Sequence, residues 1–253
     1  MADVQKQFEQ FHATIRVDYE MGANLREKRD IIVAKIERYL EQHGHPSCRV
    51  LLQGSYKMKT GVKPIAELEY DLDIGLRFDL DESAHSAAEV RGWVLEAVRG
   101  HTQNVEDKGP CIRVNYEAGF HLDLVVFAVS EEDNGTERYR LAHRTKGWRP
   151  ADPPGLLEYV SDYHTTRFAG TEDAATRMDQ FRRCVRCLRR WNDVQMPFDN
   201  DGKPTGLGLV LLAIQQELKR AIYLDGRSDD RGALAEFTRR IATTIGRVGA
   251  TKP

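Results

Sequence analysis

Residues 70–78 read Tyr70-Asp71-Leu72-Asp73-Ile74-Gly75-Leu76-Arg77-Phe78. In an extended chain successive side chains point to opposite faces. Leu72, Ile74, Leu76 and Phe78 therefore share one face, and Asp71, Asp73 and Gly75 share the other. The alternation predicts a half-buried strand with an acidic outer face. Asp71 and Asp73 stand about 6.8 Å apart along it, at roughly 3.4 Å per residue, close enough to converge on one metal cluster.

Upstream, Arg49 to Gln53 reads as a short strand stopped at Gly54, and Gln53-Gly54-Ser55 forms a turn. Glycine permits close backbone approach there, and the Ser55 hydroxyl with freed backbone N–H groups makes a phosphate cradle. Further upstream, Ile32, Ile36, Tyr39 and Leu40 form the apolar stripe of a helix spanning residues 21–42. His43-Gly44-His45-Pro46 breaks that helix, and its histidines are expected as a solvated stop. Downstream, Ser86 to Arg99 has a helical pattern, and Ile112 to Tyr116 and Phe120 to Val129 are strand-like runs joined by an Ala118-Gly119 hairpin connection. On the second run Asp123 is the sole acid among apolar residues.

Arg149-Pro150-Ala151-Asp152-Pro153-Pro154-Gly155 reads as a connector. It divides a core of residues 1–150 from a mostly helical lobe, 151–253, with helices near 156–168, 172–193, 205–223 and 230–246. In the second of these Phe181, Val185 and Leu188 form a packing stripe, while Arg182, Arg183, Arg186, Arg189 and Arg190 crowd faces that are either solvated or aimed at anions. The Cys184-x-x-Cys187 spacing has no second pair and no histidine at ligand spacing, so both cysteines are expected as reduced residues facing the core.

The 253 residues, 41% hydrophobic, are enough for one large domain or two small lobes around a cleft. The 37 basic and 39 acidic residues give a net charge of −2, which offers no global signal for wrapping nucleic acid. The longest apolar runs are far short of the roughly 20 residues of a bilayer span. Residues 1–16 lack the apolar centre of a secretory signal, so a cytoplasmic location is expected.

An isolated Asp-x-Asp usually does no more than solvate a strand. Here it follows a strand ending in Gly-Ser and precedes a strand bearing one further acid. Grouped carboxylates repel one another unless cations neutralise them. Magnesium takes hard oxygen ligands from one or two carboxylates plus substrate phosphates. With two ions about 3.5 to 4 Å apart, one activates an attacking hydroxyl and the other holds a triphosphate and its leaving pyrophosphate.

Gly54, Ser55, Asp71, Asp73 and Asp123 together resemble the signature of the DNA polymerase beta-like nucleotidyltransferase superfamily. Leu52-Gln53-Gly54-Ser55-Tyr56, Thr60, Tyr70 to Gly75, and Val185-Arg186-Cys187-Leu188-Arg189-Arg190-Trp191-Asn192 look like the bacterial cGAS/DncV-like nucleotidyltransferases, the CD-NTases. The resemblance implies an α/β (α+β) fold, with a mixed central sheet, flanking helices and a C-terminal helical lobe closing an active-site cleft. It implies an enzyme that joins ATP, GTP or other nucleoside triphosphates into a cyclic di- or trinucleotide second messenger of the CBASS anti-phage systems. An accessory or regulatory protein of those systems would be a partner.

By the same resemblance Asp71 and Asp73 hold two Mg²⁺ or Mn²⁺ ions, and Asp123 joins them and positions the attacking ribose hydroxyl. Gln53, Gly54 and Ser55 meet the triphosphate. Arg189 and Thr205 stand where relatives often carry Lys and Ser near the phosphates. Those relatives continue beyond the equivalent of Pro253, so a shortened helical lobe is expected. Two other readings stay open: transfer of one nucleotide to an RNA end, a protein or a small molecule, and a non-catalytic nucleotide-binding protein. Tyr56, Tyr70 and Trp148 are expected to pack, although each has a face on which a base could stack.

Overall fold

A computed structural model of the chain describes residues 3–17, 19–65, 70–117, 119–174, 176–196 and 202–250. In chain order its elements are α1 (Gln5–Ile15), α2 (Tyr19–Gln42), β1 (Cys48–Leu52), α3 (Gly54–Met58), β2 (Tyr70–Asp79), α4 (Ala87–Val98), β3 (Asn104–Asp107), β4 (Ile112–Tyr116), β5 (Phe120–Glu131), β6 (Glu137–His143), β7 (Gly147–Ala151), α5 (Pro153–Arg167), α6 (Gln180–Gln195), α7 (Gly206–Gln215) and α8 (Asp230–Ala250). They form two compact units. One comprises Val17–Lys57 and Ala66–Leu157; the other comprises Met1–Arg16, Met58–Ile65 and Glu158–Pro253.

The first unit is a mixed α/β layer, as expected. Its seven-stranded sheet runs β1-β2-β5-β4-β3, with β6 also on β5 and β7 on β6. β2 and β5 pair in parallel, and every other neighbour is antiparallel. Leu72, Ile74, Leu76 and Phe78 are buried, as are Leu122, Leu124 and Val126 beside them, and α2 and α4 contribute Ile32, Ile36, Leu40, Val90 and Val94 to the same core. α4 starts where Ser86 accepts a hydrogen bond from the Glu89 N–H at 3.2 Å, which relieves one of the helix's orphan donors. Each fully buried aliphatic or Phe side chain contributes about 1.5 to 3 kcal/mol. Two like charges about 5 Å apart near a protein surface repel by about 3 kcal/mol. The apolar face of β2 therefore outweighs an acidic opposite face.

Several expectations required correction. Arg149-Pro150-Ala151 is no connector but part of β7, where Pro150 faces Arg140 in register. β7 is an edge strand, and an edge tolerates proline's missing N–H. β3 and β6 did not stand out in the sequence at all. The helix expected from 172 begins at Gln180, because Asp179 caps it by accepting from the Arg182 N–H at 2.9 Å. The helix expected to run to 223 stops at Gln215, and Glu217 turns the chain at φ +50°. The β4–β5 hairpin closes on the Tyr116–Phe120 pair; Ala118 of its expected turn lies outside the described residues.

His43 and His45 do more than stop a helix: His43 stacks on Tyr39 at 4.0 Å between ring centroids, and His45 stacks on Trp93 at 4.5 Å. Tyr70 is buried, Trp148 Nε1 donates to the His85 carbonyl at 2.9 Å, and the Tyr56 hydroxyl accepts from Arg26 at 3.4 Å, so these aromatics are engaged in packing and hydrogen bonding.

The second unit is helical. α6 carries its arginines against internal partners, carboxylates among them, so of the two expected readings the solvated one does not hold. Arg183 is fully buried and grips Asp230 at 2.7 and 2.8 Å, Arg186 meets His12 of α1 at 2.5 Å, and Arg182 reaches Asp179 at 3.1 Å. Burying such charges is tolerable only with partners of this kind. Cys184 is fully buried and Cys187 half-buried, both free thiols as expected. Among the described residues no helix is long and apolar enough to cross a membrane.

Candidate active site

The parallel pairing of β2 with β5 decides what the acids can do together. In that register Asp73 lies opposite Asp123, and Asp71 lies opposite His121. Two carboxylates fifty positions apart in sequence are thereby made neighbours on adjacent strands, with a third two residues along. The side chain of Asp71 is 55% exposed and contacts the buried His121 ring. Asp123 is buried at 7% exposure. Arg113 of β4, its antiparallel register partner, donates to both carboxylate oxygens at 2.7 Å each. Arg113 holds its proton more tightly than a free guanidinium: burial alone would weaken it, and the Asp123 hydrogen bonds and charge, with that of Asp71, more than offset this. The neighbouring Cys111 thiol is pushed up to about 12 by burial and then by the Asp123 charge.

Asp73 is placed by close packing against Gly54. Gly54 follows β1 at φ +64° and opens α3. A Cβ built on it would sit 1.8 Å from Asp73 Oδ2, a distance no real atom pair tolerates. The absence of a side chain lets the Asp73 carboxylate lie against the turn. Ser55 falls in the first turn of α3, where N–H groups lack intrahelical carbonyl partners. Gln53 immediately precedes it, and its carbonyl accepts from the Lys57 N–H at 3.4 Å.

The other two expected nucleotide-binding residues belong to the helical unit and lie together there. Thr205 caps α7, accepting from the Gly208 N–H at 3.0 Å. Arg189 donates to the Thr60 carbonyl at 2.9 Å. Its guanidinium also packs on Gly206, where an added Cβ would come within 2.8 Å of it.

The donor set suits a hard divalent cation: carboxylate oxygens on one face, one of them at an exposed position. Among the described residues no three His, Cys, Asp or Glu side chains are drawn together as a ready metal cage. The arrangement explains this, since Arg113 holds both Asp123 oxygens and His121 engages Asp71. Neither partner was singled out from sequence, yet the signal for Arg113 was present. A hairpin that pairs Tyr116 with Phe120 necessarily pairs Arg113 with Asp123.

A mixed sheet whose adjacent strands carry an Asp-x-Asp pair and a third acid, following a Gly-Ser turn, is the arrangement expected of a polymerase beta-like nucleotidyltransferase core. Residues 48–127 match the family model of the nucleotidyltransferase domain of DncV-like cyclic GMP-AMP synthases. That stretch is thus similar to DncV-like nucleotidyltransferases, a group that generally uses divalent metals. It is 23% identical over 207 residues to a cyclic GMP-AMP synthase of Escherichia albertii, covering 78% of this chain and 43% of that protein. It is 32% identical over 193 residues to a c-di-GMP synthase of Roseivirga ehrenbergii, covering 69% of this chain and 50% of that one. The chain therefore spans about half the length of these relatives. Among solved structures it is similar to Vibrio cholerae DncV cyclic AMP-GMP synthase in complex with a linear intermediate, with a TM-score of 0.66 at 15% identity over 85% of this chain and 72% of that one.

Proposed function

We propose that the chain is the catalytic part of a nucleotidyltransferase that condenses nucleoside triphosphates into a cyclic di- or trinucleotide second messenger for anti-phage signalling. The observation that carries this reading is the in-register placement of Asp73 beside Asp123, with Asp71 on the same strand face. The activities of the relatives, cyclic GMP-AMP and c-di-GMP synthesis, support a cyclic nucleotide product. In each transfer a ribose hydroxyl oxygen attacks an α-phosphorus, a new phosphodiester bond forms, and the bond to pyrophosphate breaks.

Asp71 and Asp73 would hold two divalent ions, Mg²⁺ or Mn²⁺, with Asp123 as the third acid. When bound, such ions stabilise the charge that develops on the attacking and leaving oxygens. Asp123 orients the attacking hydroxyl. Ser55 and the backbone around Gly54 receive triphosphate oxygens, with Gln53 beside them. Arg189 and Thr205 are proposed as further nucleotide-binding residues. An accessory protein encoded with such enzymes is the proposed partner.

Incubation with labelled ATP, GTP, CTP and UTP and Mg²⁺, followed by phosphatase treatment and mass spectrometry, should yield a resistant cyclic product. Label appearing on RNA, protein or a small acceptor instead would replace the cyclase reading with single-nucleotide transfer. No metal-dependent triphosphate binding by calorimetry would leave only a non-catalytic role. Asp73→Asn should abolish transfer while circular dichroism stays unchanged, because what is lost is a charged oxygen donor. Wild-type turnover in that variant would remove Asp73 from the metal site.

A further inference from the structure

Arg113 has a place in this site that the acid signature does not provide for. It is fixed opposite Asp123 by the β4–β5 register, and it donates to both oxygens of that carboxylate at 2.7 Å. The two side chains are only 19% and 10% exposed, so the pair is shielded from water and from salt. A carboxylate offers its lone pairs in one plane, and a forked guanidinium takes the same edge that a chelated cation would use. A cation drawn to that edge would also be repelled by the guanidinium. Arg113 and a metal ion therefore cannot both hold Asp123 in this way.

We infer that Arg113 is the resident counter-ion of the acid cluster: it holds and orients Asp123, and a divalent cation gains that carboxylate only by displacing it. The inference rests on the reading of Asp71, Asp73 and Asp123 as a metal site. It makes Arg113 a positioning residue that sets the site's metal affinity, acting through Asp123. Three acids can then gather on one sheet face during folding without a cation, because one of their charges is already matched.

The test is Mn²⁺ binding by isothermal titration calorimetry to the wild-type chain, Arg113→Met, Arg113→Lys, Asp123→Asn, and each Arg113 substitution combined with Asp123→Asn. A hydrogen bond to a charged group is worth about 1.5 to 3 kcal/mol net, and each 1.4 kcal/mol is tenfold in affinity. Arg113→Met should therefore bind Mn²⁺ about tenfold or more tightly than wild type. Arg113→Lys, which keeps the charge but loses the fork, should show part of that gain. In the Asp123→Asn background the Arg113→Met gain should vanish.

A gain that survives Asp123→Asn would mean a through-space charge effect and would overturn the inference. So would equal Mn²⁺ affinity in wild type and both single Arg113 variants, a result that leaves the metal-site reading standing. No Mn²⁺ binding in any variant would overturn both. If Arg113→Met does not fold, Arg113→Lys measured alone and in the Asp123→Asn background carries the same comparison, and restoration of a folded Arg113→Met by Mn²⁺ would itself support displacement.

Discussion

Gly54 and Asp73 occupy space that only one side chain can fill. The backbone of Gly54 is left-handed, and its missing Cβ is the room in which the Asp73 carboxylate sits. Gly54→Ala meets two costs at once: about 1 kcal/mol or more for a non-glycine residue at positive φ, and displacement of Asp73. We expect a melting temperature several degrees lower, by about 1 to 3 kcal/mol in urea titration. Catalysis should fall far more than stability does, because the displaced group is a proposed metal ligand. Equal proportional loss of the two would mean that the turn has only a structural part. The Gly-Ser and Asp-x-Asp motifs were legible in sequence as separate patterns. Their contact was not, since spacing along a chain does not report which backbone a carboxylate will rest against.

At the scale of elements, α6 shows how a charged helix becomes an internal one. Its arginines bind Asp230, His12, and carbonyls of the 58–65 segment, including Arg190 to the Lys63 carbonyl at 2.6 Å. His12 titrates at about 4, lowered first by burial and then by Arg186. Its unfolded value is about 6.5, so above pH 6.5 both states are neutral and the stability is intact. As pH falls from 6.5 toward 4 the unfolded chain takes a proton that the folded chain refuses, and stability drops by about 2 kcal/mol after allowance for solvent screening. Thermal melts of wild type and His12→Gln between pH 7 and 4 check this: the variant should show a shallower decline, and parallel curves would remove His12 as the cause.

The same arginines explain a limit of sequence reading. Period and polarity marked α6 as amphipathic but could not tell a solvated guanidinium from one paired inside, because the partners Asp230 and His12 are distant in sequence. β6 was missed for a related reason. Arg138 and Arg140 make it look like surface loop, whereas both reach Glu82, at 3.3 and 3.0 Å. By contrast β2, β4 and β5 have their own alternating pattern, and their bounds were readable to within two residues.

For the whole molecule, 37 basic and 39 acidic residues nearly balance, and some of these charges pair within the fold. Non-specific duplex binding depends on phosphate neutralisation by clustered Lys and Arg. We therefore expect no retardation of a 40-base-pair duplex by micromolar protein at physiological salt in a gel-shift assay. A salt-sensitive shift would reveal a basic face that the net charge conceals. The charge that does matter is local and of the other sign, on the face shared by β2 and β5.

That parallel pairing also determines which changes in length the protein can accept. The acids are brought together by counting residues along two strands from a common start at Tyr70 and Phe120. Everything between Leu80 and Glu117 can lengthen or shorten at its loops without altering that count. One residue inserted between Tyr70 and Asp73, or between Phe120 and Asp123, reverses parity: leucines turn to the acidic face and an aspartate turns into the core. Lineages of this domain should therefore accumulate insertions freely in the crossover, while these two four-residue frames keep their length.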